Sequence, residues 1–323
     1  MKQIQTTASP GVPHGTFQDE FLSHKTGSEW WYCTGFITDE AGKLFSFQFT
    51  LARVRIYFAQ FHILMTALSD FETQKHYYAQ QPIFFGKDLT LTDTKVAYGD
   101  VAAMGFSDDG LTVEIHDPDY TLSLQLKPAK APVWHCEDGK LQMGIPDPEQ
   151  TTYYWSYTNL AAAGTLTLGG QEHTVSGQAW FDKQGGTYTL TNRKTNWEWF
   201  SMRFFDGEEV MLFSFPQDDY QDGTYIDQTG TYQRLNDYSI TPLGFTEAAG
   251  KKFSSGWRVT FKGMKDESYE IIPKMEGQLN LFYYELLADI RDKDGQTVGY
   301  CVTELLPGVY NEINPLDAFV RAK

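Results

Sequence analysis

Trp199-Phe200-Ser201-Met202-Arg203-Phe204-Phe205, then Asp206-Gly207, then Val210-Met211-Leu212-Phe213-Ser214-Phe215, reads as two strands joined by a tight turn. Asp-Gly supplies the positive φ angles that a short hairpin connection needs. The same dipeptide recurs at Asp109-Gly110, Asp138-Gly139, Asp222-Gly223 and Asp294-Gly295, each between strand-like runs. Gly169-Gly170 stands in the same way between Thr165–Leu168 and His173–Ser176. Tyr120, Leu122, Leu124 and Leu126 alternate with polar residues, the period of a strand with one buried face.

Helical periodicity is scarce. Thr246–Lys252 and Leu316–Arg321 are the pieces read as short helix. Many strands with turn signals between them imply sandwiches or closed barrels, so the expected class is all-β. No repeat of 20 to 50 residues appears, which argues against solenoids and propellers. Two stretches look like seams, Gly144–Thr152 and the Gly- and Thr-rich Lys183–Asn196. The boundary is placed at the second, giving domains 1–186 and 187–323. Gln217–Tyr225, rich in Asp and aromatics, reads as a loop.

The chain has 323 residues, 41% of them hydrophobic, with 23 Phe, 19 Tyr and 8 Trp. Rings in that number can fill a core and also line an apolar cavity. A net charge of −16 argues against nucleic acid and against anionic membrane surfaces. Cys33, Cys136 and Cys301 are far apart and odd in number, which supports neither a zinc ribbon nor a disulfide framework. Met1–Phe17 has no apolar signal core and no run reaches transmembrane length. The expectation is a reduced, cytoplasmic protein with no stable membrane insertion, although a chain trimmed of a leader would read the same. The sequence sets no oligomeric state.

The chemistry centres on Gly177-Gln178-Ala179-Trp180-Phe181-Asp182-Lys183-Gln184. Asp182 follows two large aromatics, and a carboxyl group among rings is poorly solvated. Its charged form is disfavoured, so it can hold a proton near neutral pH, as a general acid must. The plainer reading is an Asp that opens a turn. Glu29 precedes Trp30, Trp31 and Tyr32; Glu285 follows Phe282, Tyr283 and Tyr284; Glu304 lies between Thr303 and Leu305. Such carboxylates usually face solvent, but three of them in so aromatic a chain point to at least one that faces inward. An inward carboxylate needs a partner, and Arg53 and Arg203 are candidates. His62, inside the apolar run Gln60–Ile63, is either a core histidine or a site residue. There is no nucleophile elbow, phosphate loop or dinucleotide fingerprint, and no His pair at helix-face spacing. No metal is expected.

In order along the chain stand Glu29-Trp30-Trp31-Tyr32, Gly35, Gly42 to Gln48, Arg53 and His62 to Asp70, which ends Thr66-Ala67-Leu68-Ser69-Asp70. Tyr153-Tyr154, Gly164-Thr165-Leu166, Val175-Ser176-Gly177 and Ala179-Trp180-Phe181-Asp182 follow. That order resembles the carotenoid 1,2-hydratase (hydroxyneurosporene synthase) and AttH-like family. Lys183-Gln184-Gly185-Gly186 keeps the family's basic and amide positions but lacks its Trp. Trp197 to Phe213 is similar to the start of the family's C-terminal lipocalin-like domain. Tyr283-Tyr284-Glu285 resembles its Tyr-Trp-Glu-Gly block, with Tyr284 for Trp and Leu286 for Gly. Gly299-Tyr300 with Thr303-Glu304-Leu305 resembles its closing strand. The likeness runs from about Phe17 to about Gly308.

The resemblance implies two lipocalin-like (calycin-type) β-barrel or sandwich domains packed together, with an apolar pocket in or between them. It also implies cofactor-free chemistry: addition of water to an isoprenoid or prenyl double bond or, in related fungal proteins, cyclisation of polyenes. The family's proposed acid falls on Asp182. The leading expectation is therefore an acid-catalysed hydratase, isomerase or cyclase acting on a hydrophobic unsaturated small molecule, without cofactor. Asp182 would donate the proton and Glu29 or Glu285 would activate water. Trp30, Trp31, Tyr32, His62, Trp180, Tyr284 and Glu304 would contact substrate. The rival reading is a non-catalytic lipocalin-like carrier of an apolar metabolite. A third is a structural protein serving only a partner interface, for which the charge pattern selects no partner.

Overall fold

The computed structural model describes residues 16–24, 27–56, 59–143, 150–189, 196–216, 219–262, 268–306, 317 and 319–322. Among these the chain forms two large antiparallel sheets, one of 13 strands and one of 10, beside a two-stranded hairpin. Both large sheets curl into near-barrels, so the protein is all-β with two lipocalin-like barrels. The last strand of the first sheet is Gln171–Gly186, and the second sheet begins at Trp197–Phe204.

In each sheet the first strand pairs with the last. Glu29–Asp39 lies against Gln171–Gly186, and Trp197–Phe204 against Thr297–Leu306. The ends of the first sheet meet where Gln81 donates to the Tyr98 hydroxyl at 3.0 Å. In the second, the Tyr238 hydroxyl donates to the carbonyls of Phe213 and Asp222, which ties its edges together. A short helix, Phe17–Phe21, capped by Thr16, plugs the first barrel, and Trp31 Nε1 donates to the Phe21 carbonyl at 2.7 Å.

Strands Glu29–Asp39 and Trp197–Phe204, and Gln171–Gly186 from Ala179 onward, are buried on both faces. One face of each fills its own barrel, with Trp31, Cys33 and Phe181 in the first and Phe200 and Met202 in the second. The other face, including Tyr32, Trp180 and Trp199, joins an aromatic cluster between the barrels. Burying both faces removes the polar half of the period-two pattern. Gly35 shows how closely the strands are held here. A Cβ at that position would lie 2.3 Å from the Gln178 carbonyl oxygen and 2.9 Å from the Phe47 ring. Gly35→Ala is expected to cost about 1–3 kcal/mol as overpacking. Denaturant unfolding checks this, and an unchanged midpoint would mean that the sheet shifts freely.

The turn signals hold at all the expected sites but one: Asp138 and Gly139 both take positive φ, at 53° and 77°, and Gly110 and Gly295 take 126° and 76°. Gly169 and Gly170 take φ of 60° and 79° between paired Leu168 and Gln171. At Phe205–Gly207 only Gly207 takes positive φ, at 88°, closing a three-residue loop. Other readings need correction. Thr246–Lys252 is no helix: Phe245–Ala248 and Lys251–Ser254 form a hairpin that turns on Ala249 and Gly250, both at positive φ, and Phe253 is buried. Asp222-Gly223 is not a turn but the middle of strand Tyr220–Ile226, so much of the stretch read as the Gln217–Tyr225 loop is strand as well. Asp222 is buried there by two hydrogen bonds from Arg234, at 3.0 and 2.8 Å. Gln217 and Asp218, parts of both expected seams (144–149 and 190–195), and Leu316 and Ala318 of the expected C-terminal helix lie outside the described residues.

Candidate active site

Asp182 sits mid-strand with Tyr32 opposite it on one side and Ser156 opposite on the other. Across the gap between the barrels, the second sheet presents the row Glu285–Glu304–Trp199. Tyr32 and Asp182 of the first row and Glu304 and Trp199 of the second border a cavity of ≈ 130 Å³. Trp30, Tyr32, Trp197, Trp199, Phe213 and Tyr283 supply much of its wall, and Asp182 and Glu304 are its carboxyl groups.

Asp182 Oδ1 accepts from Ser156 and, at 2.5 Å, from Trp180 Nε1; Oδ2 accepts from the Tyr154 hydroxyl at 2.9 Å. Burial pushes this carboxyl up to about 7, against the pull of those donors and with help from Glu304. Burial likewise lifts Glu304 to about 7, although Trp197 Nε1 donates to it at 2.6 Å. Protein surrounds Glu304, yet it can be reached from the cavity. Burial and the charge of Glu304 hold Glu285 well above the carboxylate range, and the Tyr32 hydroxyl donates to it. Two glutamates directly opposite on neighbouring strands repel when both are charged, which favours keeping a proton there.

These shifts set a pH dependence. The folded protein keeps protons on Asp182 and Glu304 that the unfolded chain gives up above their ordinary values of 3.8 and 4.5. Between pH about 4 and 7 the unfolded state binds fewer protons, so stability falls as pH rises. Glu198 reinforces the trend: it is buried in the second barrel, hydrogen-bonded by Ser254 and Trp257, and raised by burial to about 7. The urea midpoint is expected to be higher at pH 5 than at pH 8. The difference should shrink in Asp182→Asn/Glu304→Gln; an undiminished difference would mean that both acids are already ionised at pH 5.

The other sequence-predicted residues fall elsewhere. Glu29 projects to the opposite face of its strand and off the cavity wall, into a buried ion cluster of which Arg53 alone lines the cavity. It accepts from Lys183, lies 3.3 Å from Arg53, and contacts Ser23 and His24 at 2.8 and 2.9 Å. Burial opposes its charge, but Lys183, His24 and Arg53 hold it well below the carboxylate range. Trp31 lies under the Lys183 ammonium, 4.4 Å from ring centre to Nζ, inside the first barrel. His62 is beside Arg53, off the cavity wall, and is lowered to about 4 by burial and that charge. Tyr284 packs on Phe253 in the second core. Trp180 supports Asp182 from behind the wall. Of the two expected cationic partners, Arg53 meets Glu29, whereas Arg203 lies over the Phe36 ring at 4.7 Å.

Sequence reading missed the supporting cast of Asp182. Tyr154 also accepts from Trp199 Nε1 at 3.1 Å. His135 Nε2 lies 2.8 Å from Ser156 Oγ, and burial lowers this imidazole to about 3, so it is neutral. Ser156 spends its one proton on Asp182, so His135 donates to it. Among the described residues no group of three His, Cys, Asp or Glu side chains could hold a metal ion.

The fold is shared with solved proteins. A candidate AttH of Nitrosomonas europaea is 26% identical, with a TM-score of 0.82 over 93% of this chain and 98% of that one. Kievitone hydratase of Nectria haematococca is 15% identical, with a TM-score of 0.68 over 94% and 95%. CghA, solved with Sch210972, is 9% identical, with a TM-score of 0.51 over 89% and 96%. At such low identity the last two show likeness of fold alone. No curated protein sequence matches the chain. The AttH-like family model matches residues 9–306, and the chain therefore belongs to the AttH-like family.

Proposed function

We propose that this protein is a cofactor-independent enzyme that protonates a double bond of a hydrophobic, isoprenoid- or polyene-like small molecule. The outcome is hydration, isomerisation or cyclisation. One observation carries the reading: a carboxyl, Asp182, which burial pushes up to about 7, opens onto a cavity walled by aromatic rings. Asp182 donates to an alkene carbon and leaves a carbocation, which the faces of Trp30, Trp197 and Trp199 stabilise through their quadrupoles. Glu304 shares that cavity and raises Asp182 by its charge, so the pair favours one proton between them. The ionised member then takes the proton lost from attacking water or from the cation itself. Membership of the AttH-like family and a fold shared with a hydratase are consistent with this reading.

The test is native mass spectrometry after incubation with an isoprenoid and lipid extract, with the released compound compared with the input by chromatography and fragmentation. A bound compound returned heavier by one water, or rearranged at constant mass, supports the enzyme. The same compound returned unaltered makes the protein a carrier.

A further inference from the structure

A second, smaller chamber lies between the barrels, behind the cavity wall. Thr34, Ser46, Gln48, Ser69, His76 and Glu285 bring polar groups to it. Its volume is ≈ 10 Å³, about the room one water needs. Most of these groups are already committed to one another. His76 meets Ser69 Oγ at 2.9 Å and Asn280 Oδ1 at 2.7 Å; Asn280 donates to Gln48 at 2.7 Å; and Gln48 donates to the hydroxyls of Tyr283 and Thr50. One atom stands apart. Glu285 Oε2 is buried and, among the described residues, has no hydrogen-bond partner. The other oxygen of the same carboxyl receives the Tyr32 hydroxyl, and Tyr32 lines the large cavity. The Tyr32–Glu285 pair thus bridges the apolar cavity and the polar chamber.

We propose that the chamber binds a single water molecule on Glu285 Oε2, and that Tyr32 and Glu285 pass protons between this water and the large cavity. A buried carboxyl oxygen left unpaired forfeits its solvation, which a water held there restores. The hydroxyl oxygens of Thr34, Ser46 and Ser69 line the same chamber, and each keeps a lone pair free to accept from such a water. Each transfer moves one proton. Tyr32 accepts it from the cavity side as its own hydroxyl proton passes to Glu285 Oε1. Glu285 releases the proton on Oε2 to the chamber water, which gives one of its own to Ser69 Oγ as the Ser69 hydroxyl proton moves to His76 Nδ1, 2.9 Å away. The imidazole holds the proton until the reverse sequence resets the chain. The water site stands whether or not the proposed reaction is right; the use of the proton path rests on that reaction. An enzyme filled with apolar substrate has little free water at its acids, so a fixed store beside them is useful.

A high-resolution crystal structure tests the site directly. The expected result is one water within hydrogen-bond distance of Glu285 Oε2 in the wild type, absent from Glu285→Leu. A dry chamber in a structure that shows other buried waters overturns the site. Infrared spectroscopy tests the protonation: a protonated-carboxyl band should vanish in Glu285→Gln and shift in Tyr32→Phe, and its absence from the wild type overturns the path. Tyr32→Phe and Glu285→Gln should each slow turnover by about a hundredfold, the lower range for positioned proton transfer. The double variant should lose no more than either single one, because both cut the same path; additive losses refute it. If Asp182→Asn keeps full turnover, the reaction is wrong, while the chamber water and the carboxyl band still decide the site.

Discussion

Asp182→Asn is expected to lower turnover by about 10²–10⁴, the usual contribution of a positioned general acid. Asparagine keeps the size of the side chain, and its carbonyl oxygen can still accept from Trp180 and Ser156 as Oδ1 does. The amide faces Tyr154, whose hydroxyl can rotate to accept. What disappears is the proton that Asp182 would release into the cavity. The variant also removes a buried group that resists ionisation, so it should be at least as stable as wild type at pH 8. Loss of turnover with unchanged unfolding separates chemistry from folding. Undiminished turnover would remove Asp182 from the mechanism.

Glu29→Gln has the opposite signature. Its carboxylate answers two buried cations, Lys183 and Arg53, in a site closed to solvent. Breaking such a cluster at one member leaves charge buried without compensation, and a loss of about 3–5 kcal/mol is expected. Replacing the pair by apolar residues, in Glu29→Leu/Lys183→Met, should recover part of that loss, because both desolvation costs vanish together. Urea unfolding of the single and double variants measures this. A single-variant loss below about 1 kcal/mol would place the cluster with exposed ion pairs. Lost turnover at unchanged stability would instead return Glu29 to the catalytic role its sequence context suggests.

The sequence reveals this site unevenly, for a physical reason. Asp182 is legible because Trp180 and Phe181 precede it in the same strand. Glu285 and Glu304 are legible as acids among aromatics, but their placement opposite each other depends on strand register. Tyr154, Ser156 and His135 act on Asp182 across strands, and no local pattern encodes that. Glu29 misleads because strand parity sends it to the other face, with Lys183 rather than Asp182. For the fold, Gly169-Gly170 announces its turn, whereas the Ala249-Gly250 turn is masked by helix-forming neighbours. Asp222-Gly223 imitates a turn because its partner, Arg234, comes from the next strand.

The pairing of first strand with last carries a consequence for biogenesis. As the nascent chain leaves the ribosome, Trp30 and Tyr32 emerge early, but the strand that faces them emerges only when the first barrel is nearly complete. Trp197 and Trp199 wait in the same way for the strand bearing Glu304. Closure by such distant contacts is slow, and it leaves apolar edges exposed in the meantime. Both carboxyls of the cavity ride on closing strands. A polypeptide interrupted before either closure would carry many of the aromatic rings but lack an acid, so synthesis itself delays reactivity until the cavity has walls.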